Sequence, residues 1–289
     1  MRISDISNFM DSVEIKSDGE FEIFGLVNTN INKKIISFIE DKKYIDDMSS
    51  NVSCVFIKKE LQEFVPQGLG IIVCENPKIE FYKLHNYLCN NSKDYIRENF
   101  KTRIGLGSKI SKKSTISEYN VCIGKNVTIE ENVIIRKNTT IGDNSIIRAG
   151  SIIGGEGLQF LRIGKESILP VKHGGGVIIG GNVEIQQSCC IDKAVFPWDD
   201  TIIGEYTKFD NFIHIGHAVK IGERCMFAAN STVAGVTTIG DDCWIGLSST
   251  ISNCLKIGNN VNIKIGSIVI SDIKDGESVA ARPAIPLRI

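Results

Sequence analysis

From Ile203 to Val269 every sixth residue is large and apolar: Ile203, Phe209, Ile215, Ile221, Phe227, Val233, Ile239, Ile245, Ile251, Ile257, Ile263 and Val269. Gly follows six of them, at 204, 216, 222, 240, 246 and 258, and the fourth residue after each is mostly small or β-branched, as at Thr207, Val219, Cys225, Ser231 and Thr237. A period of six fits neither a helix nor simple strand alternation. It is an internal repeat, and it predicts short parallel strands stacked into a β-helix, three hexads to a triangular coil. The sixth residue then points into the prism and stacks on its equivalents in coils ~4.8 Å away. Gly and the residues Asn230, Asn253, Asn259 and Asn260 suit corners that need left-handed backbone.

The same register reaches back along the chain. It begins at Ile104, Ile110 and Ile116, slips by one residue near Cys122, and runs from Ile123 through Ile129, Ile135, Ile141 and Ile147 to Ile153. Gly154 to Gly176 breaks it with seven Gly, one Pro and His173, a stretch too long for a corner and predicted to project as a loop. Hexads return at Ile179, Ile185 and Ile191, and Pro197 takes the next slot before Ile203. The expected β-helix spans about Ile104 to Val269, and the tail, Ser271 to Ile289, carries no helical pattern.

Residues 1 to about 90 lack the period. Glu20 to Val27 alternates and predicts a strand, Val52 to Ile57 and Leu69 to Cys74 read as buried strands, and Lys59 to Val65 as a short helix. Asn76-Pro77 marks a helix start, Asn as N-cap and Pro at the first turn, with Phe81, Leu84 and Leu88 as its apolar face. The polar run from Asn90 to Asn99 marks a boundary. The expected organisation is a small α/β domain over 1–98 and a β-helix over 99–289, with the loop at 154–176.

Composition narrows the function classes. A chain of 289 residues with 42% hydrophobic residues has ample material for a core, and a formal net charge of −1 gives no basic field for nucleic acid or an anionic membrane. No apolar run approaches membrane-spanning length, and the polar, acidic start does not resemble a signal peptide, so a cytoplasmic protein with no membrane insertion is expected. Nine cysteines without a CxxC fit free thiols in a reducing compartment, and Cys225 and Cys243, one coil apart, read as stacked core residues.

The candidate chemistry lies in four histidines, His85, His173, His214 and His217. His214 and His217 share one hexad in DNFIHIGHAVKIG, where an imidazole can act as a general base near neutral pH or merely decorate an outer face. A zinc site is not expected, because the other two histidines lie far off in sequence and no metal role is assigned.

Longer motifs go further. ISFIEDKKY and GIIVCENPKIEFYKL in the first domain, then GGEGLQF, GGGVIIGGNVEIQQSCCIDK and DNFIHIGHAVKIG in the repeats, closely resemble segments of the UDP-3-O-acylglucosamine N-acyltransferase family and its relatives, over nearly the whole chain. The resemblance implies a left-handed parallel β-helix, a homotrimer, and acyl transfer from a thioester to an amine on a nucleotide-linked sugar. It places the general base on His217, with His214 where the family has Gln, and extends the substrate and acyl site to Asp210, Asn211 and Phe160. Its base-stacking and base-reading positions fall on Phe38, Asp41 and Tyr44.

Three departures shape the expected activity. The family's second active-site His falls on Cys254, a poorer hydrogen-bond donor. Asp41 stands where an Asn reads the base. The family's helical C-terminal extension, which meets acyl carrier protein, has no counterpart up to Ile289. The expected reaction is therefore N-acylation of a nucleotide-linked amino sugar by acyl-CoA, with a dTDP-4-amino-4,6-dideoxyhexose of the anthrose-pathway type as the foremost acceptor and a short or 3-hydroxy acyl group. The alternatives are the lipid A enzyme proper, using acyl carrier protein, and a non-catalytic β-helix scaffold or nucleotide-binding module.

Overall fold

The computed structural model describes residues 1–6, 9–10, 12–165 and 167–281. Its contacts divide the chain into two units: residues 1–96 with 158–172, and residues 97–157 with 173 onward.

In the first unit, β1 (Glu14–Ser17), β2 (Ile23–Phe24), β3 (Ile35–Ile39), β4 (Val52–Ile57) and β5 (Gly70–Val73) form one sheet in the order β1-β5-β4-β3-β2. β1 runs antiparallel to β5, and the remaining pairs are parallel. The apolar run VSCVFI lies in the middle, and five of its six residues are buried. Helix α1 (Pro77–Asn91) packs on this sheet through Phe81, Leu84 and Leu88. Pro77 opens it as expected, but the Asn76 side chain makes no capping bond. The strand expected over Glu20 to Val27 pairs only at Ile23–Phe24. Upstream, Phe21 N–H bonds to Met1 C=O and residue 20 bridges Arg2, so the segment changes partner after two residues on either side. The helix expected at Lys59 to Val65 is a 3₁₀ turn over Lys59–Phe64. The predicted loop contains an antiparallel hairpin, Phe160–Ile163 with Ser167–Pro170.

The second unit is a left-handed parallel β-helix. Among the described residues its three sheets hold nine, eight and eight strands, making eight full coils. Face one carries Ile123, Ile141, Ile179, Ile203 and Ile221 in register, face two Ile129, Ile147, Ile185, Phe209 and Phe227, and face three Ile135, Ile153, Ile191, Ile215 and Val233. All of these are at most 4% exposed and form one continuous core. The first coil is open, with Ile104 half exposed at the end of the prism. The helix continues past Val269 to Ile273 and Ser278–Val279.

The corners need left-handed backbone at the third residue after each core position. Asn126, Asn132, Asn138 and Asn144 supply it with φ between 55 and 65°, and Asn120 does so one residue later, in the seven-residue step after Ile116. Further on the position is held by Tyr206, Phe212, Ala218, Val236 and Cys254 as well as by Asn230 and Asn260. Asn253 and Asn259, expected at corners, are not the left-handed residues. Asn259 instead accepts the Asp241 N–H through Oδ1, and it is Cys254 that turns the chain. The small residues four after the core position tie coils together, as where Thr207 Oγ1 donates to Gly222 C=O and accepts from Cys225 N–H.

Every interruption of the period falls on one edge. From face one to two and from two to three the step is always six residues, but from face three to the next face one it departs from six at Ile116 to Ile123 (seven), Ile153 to Ile179 (twenty-six), Ile191 to Ile203 (twelve) and Val269 to Ile273 (four). Pro197 therefore occupies no hexad slot. It lies in a six-residue insertion that leaves and rejoins the prism at this edge.

Candidate functional site

His173, Lys193 and His217, whose pKa values are all lowered by burial, lie on that edge. His217 follows the face-three strand His214–Ile215, just before Ala218 turns the chain. Val236 N–H donates to His217 C=O (2.8 Å), and Cys254 N–H to Gly235 C=O (3.1 Å), so His217 and Gly235 hold equivalent positions in successive coils, and Cys254 lies on the next coil one residue past the equivalent Asn253. The His217 ring lies against Gly235, where an added Cβ would stand 2.5 Å from Nε2. Burial holds the His217 pKa below its ordinary value, against the opposing charges of Asp192 and Asp199. This imidazole is therefore neutral at physiological pH and free to accept a proton.

His173 stands beside it, where the long insertion rejoins the prism. Its ring is 5.8 Å from that of His217 at 78°, it is 4% exposed, and neither ring nitrogen has a hydrogen-bond partner among the described residues. Asn138, itself at a left-handed corner, anchors the re-entry by donating from Nδ2 to the carbonyls of Gly174 (3.2 Å) and Gly175 (3.1 Å). Burial, then the neighbouring His217, push the His173 pKa down to about 4. In sequence His173 is a loop residue forty-four positions from His217, and nothing local links the two. The available signal was a single His beside a Gly triplet at the mouth of the insertion.

Asp192 ends the face-three strand of the coil above and is buried. Its Oδ2 holds His214 Nε2 at 3.0 Å, which raises the His214 pKa despite partial burial. Gly155 and Gly157, in the GGEGLQF motif, lie close enough that a Cβ would stand 2.9 Å from Oδ1 and 2.6 Å from Oδ2. Next to it, Lys193 is 3% exposed and pairs with Glu156 (3.1 Å), and burial lowers its pKa. Thr201 Oγ1 donates to Asp192 C=O (2.6 Å) and accepts from Ala218 N–H (2.9 Å), bracing the Asp192 strand against the His217 corner.

The remaining expected residues divide. Cys254 is on the same edge, exposed, its Sγ facing Asn253 Nδ2. Asp210 and Asn211 are on a different edge, between faces two and three. There Asp210 accepts from Asn211 and Ala229 N–H and Asn211 from Gln187 N–H, so these side chains hold backbone across coils rather than join the histidines. Phe160 is exposed on the hairpin. In the first unit Phe38 is half-buried with its ring against Phe81 (5.1 Å) and Tyr82 (6.1 Å), whereas Tyr44 is 44% exposed on the short helix Lys43–Asp46. Asp41 Oδ1 accepts from Lys43 N–H, which with Lys43 itself lowers its pKa. Among the described residues no group of three or more His, Cys, Asp or Glu is arranged to hold a metal, and no helix is long and apolar enough to cross a membrane.

Comparison with known proteins agrees with the fold and extends it. The bacterial transferase hexapeptide family model (six repeats) matches residues 120–155 and 200–235, and the hexapeptide repeat of succinyl-transferase matches 236–270. The UDP-3-O-acylglucosamine N-acyltransferase of Campylobacter curvus is 36% identical over 77% of this chain and 74% of its own. A protein of the same name from Sulfurimonas denitrificans is 35% identical over 82% and 79%. Among solved structures, the UDP-N-acetylglucosamine acyltransferase from Campylobacter jejuni superposes with a TM-score of 0.52 and 26% identity, covering 60% of this chain and 64% of that one. The chain belongs to the UDP-3-O-acylglucosamine N-acyltransferase family and is an acyltransferase of the hexapeptide-repeat class.

Proposed function

We propose that this protein moves an acyl group from a thioester to the amine of a nucleotide-linked amino sugar, with UDP-3-O-acylglucosamine as the foremost acceptor. The observation that carries it is the His217 ring: a neutral, half-buried imidazole seated against Gly235 on the edge where the insertions emerge. His217 takes the proton that the sugar amine loses as it attacks the thioester carbonyl. Cys254, at the family's second His position, is a weak donor and contributes less to the oxyanion. Tyr44 and Phe38 contact the nucleotide base, and three copies of the chain associate with the active edges between prisms.

The relatives' names favour a UDP-linked 3-O-acylglucosamine acceptor over the dTDP-4-amino-4,6-dideoxyhexose expected from the sequence. Asp41, a carboxylate at the base-reading position, is the observation that keeps the dTDP sugar as a second reading. A thiol-release assay on purified protein tests both, pairing each sugar nucleotide with acyl-CoA and with acyl carrier protein. Turnover with the UDP sugar supports the first reading, turnover with only the dTDP sugar supports the second, and no thiol release with any pair rejects acyl transfer to these amines. Sedimentation as a monomer rejects the trimer.

A further inference from the structure

We propose that His214, backed by Asp192, is a second catalytic residue: it gives a proton to the sulfur of the departing thiol. The inference rests on the acyl-transfer reading above. Asp192 is 4% exposed and its Oδ2 lies 3.0 Å from His214 Nε2, while the His214 side chain is 46% exposed at the surface of face three. A buried carboxylate bonded to one imidazole nitrogen fixes the ring and stabilises its protonated form, leaving the other nitrogen to act outward. The effort spent on this carboxylate is visible in the chain: two glycines, 155 and 157, clear the space around its oxygens, and Cys190 Sγ lies 3.7 Å from Oδ1.

His214 and His217 are three residues apart on one coil, and Asp192 acts on both. The environment separates them. The hydrogen bond from Asp192 favours the charged form of His214, and burial favours the neutral form of His217. Two like groups driven apart in this way are suited to opposite tasks, one as acid and one as base. In the step, the amine nitrogen attacks the thioester carbonyl and its proton passes to His217. The tetrahedral intermediate then collapses with cleavage of the C–S bond, and the electron pair leaving on sulfur takes the proton from His214. The products are the amide and the free thiol. His217 ends protonated and His214 neutral, and exchange with water restores both. Asp192 touches neither substrate and is a positioning residue. The Thr201 bridge from the Asp192 backbone to Ala218 N–H keeps its strand at a fixed distance from the His217 corner.

The test varies the leaving group. His214→Gln, which installs the amide the family carries here, is compared with the wild-type chain on two donors of one acyl group: a pantetheine thioester, whose alkyl thiolate is a poor leaving group, and a thiophenyl ester, whose aryl thiolate leaves unaided. With the pantetheine donor the variant loses about 10²-fold in kcat, the lower end of a general-acid contribution. With the thiophenyl ester the loss shrinks to a few-fold. Asp192→Asn shows the same donor-dependent pattern at smaller amplitude, with an unchanged melting temperature as the check on folding. Equal losses on both donors, or none on either, overturn the proposal. A wild-type chain that releases no thiol from either donor rejects the acyl-transfer reading and this inference with it.

Discussion

Gly235 lies directly beneath the imidazole of His217, so close that a Cβ there would stand 2.5 Å from Nε2. Its backbone is not left-handed, so the space beneath the ring, rather than the conformation, excludes a side chain. Gly235→Ala is expected to fold normally and to displace the ring. A displacement of about an ångström costs on the order of 10²-fold. The measurement is kcat against both KM values, and a kcat within a few-fold of wild type shows that His217 does not need that seat.

His217→Ala is expected to lower kcat by ~10²–10⁴-fold with little change in either KM. The pH profile checks the assignment. A base must be deprotonated to act, so activity falls as pH drops through the His217 pKa, and that pKa is held below the ordinary value of about 6.5. The acidic limb of wild-type kcat/KM should therefore be centred below pH 6.5, and His214, which must be protonated to act as the acid and whose pKa is raised, adds a separate fall on the alkaline side. An acidic limb centred above pH 6.5 assigns the titration to another group.

His173 makes the fold sensitive to acid. In the unfolded chain it titrates near 6.5, and in the fold at about 4. The stability is complete above pH 6.5 and is lost as pH falls towards 4, because the unfolded chain binds the proton first. The gap is worth roughly 3 kcal/mol. His173→Gln should flatten the decline of denaturant midpoint between pH 6.5 and 4, and an unchanged slope places the acid sensitivity elsewhere.

Val236 is a β-branched residue at φ 64°, where Asn or Gly is the unstrained choice. It is 41% exposed, so little packing is lost on substitution. Val236→Asn should stabilise the protein by about 1 kcal/mol, the low end of the strain at such a position. Melting temperature reads it, and a decrease shows that Val236 packing outweighs the strain.

Tyr44 and Phe38 should separate on mutation. Tyr44→Ala removes an exposed ring and is expected to raise the sugar-nucleotide KM, by ~1–3 kcal/mol for a lost base stack, without changing stability. Phe38→Ala opens a gap against Phe81 and Tyr82 and should lower the melting temperature as well. An unchanged KM in Tyr44→Ala removes that residue from the nucleotide site.

The β-helix was readable in the chain because its cause is local. A side chain that must point inward once per strand at a fixed rise imposes a period, and the period from Ile123 to Val269 is that requirement written out. The motif around His217 was readable for the same reason, being contained in one hexad. The identity of the corner residues was read less well, since Cys254 and Val236 occupy conformations that propensity assigns to Asn253 or Gly235. The hexad register, not propensity, selects the third residue after each core position.

What tertiary structure decided is which distant residues share the edge that carries His217. Sequence alone determined the prism, the buried strands of the first unit and the candidate base. It did not reveal that the irregular steps after Ile116, Ile153 and Ile191 all leave by one edge, because that follows only when coils are stacked and each strand is assigned to a face. Stacking brings His173 back beside His217 and sets Asp192 against His214, and the same register carries Asp210 and Asn211 round to another edge. Proximity here is set by position modulo one coil, so residues adjacent in sequence can part while residues many coils' worth of chain away meet.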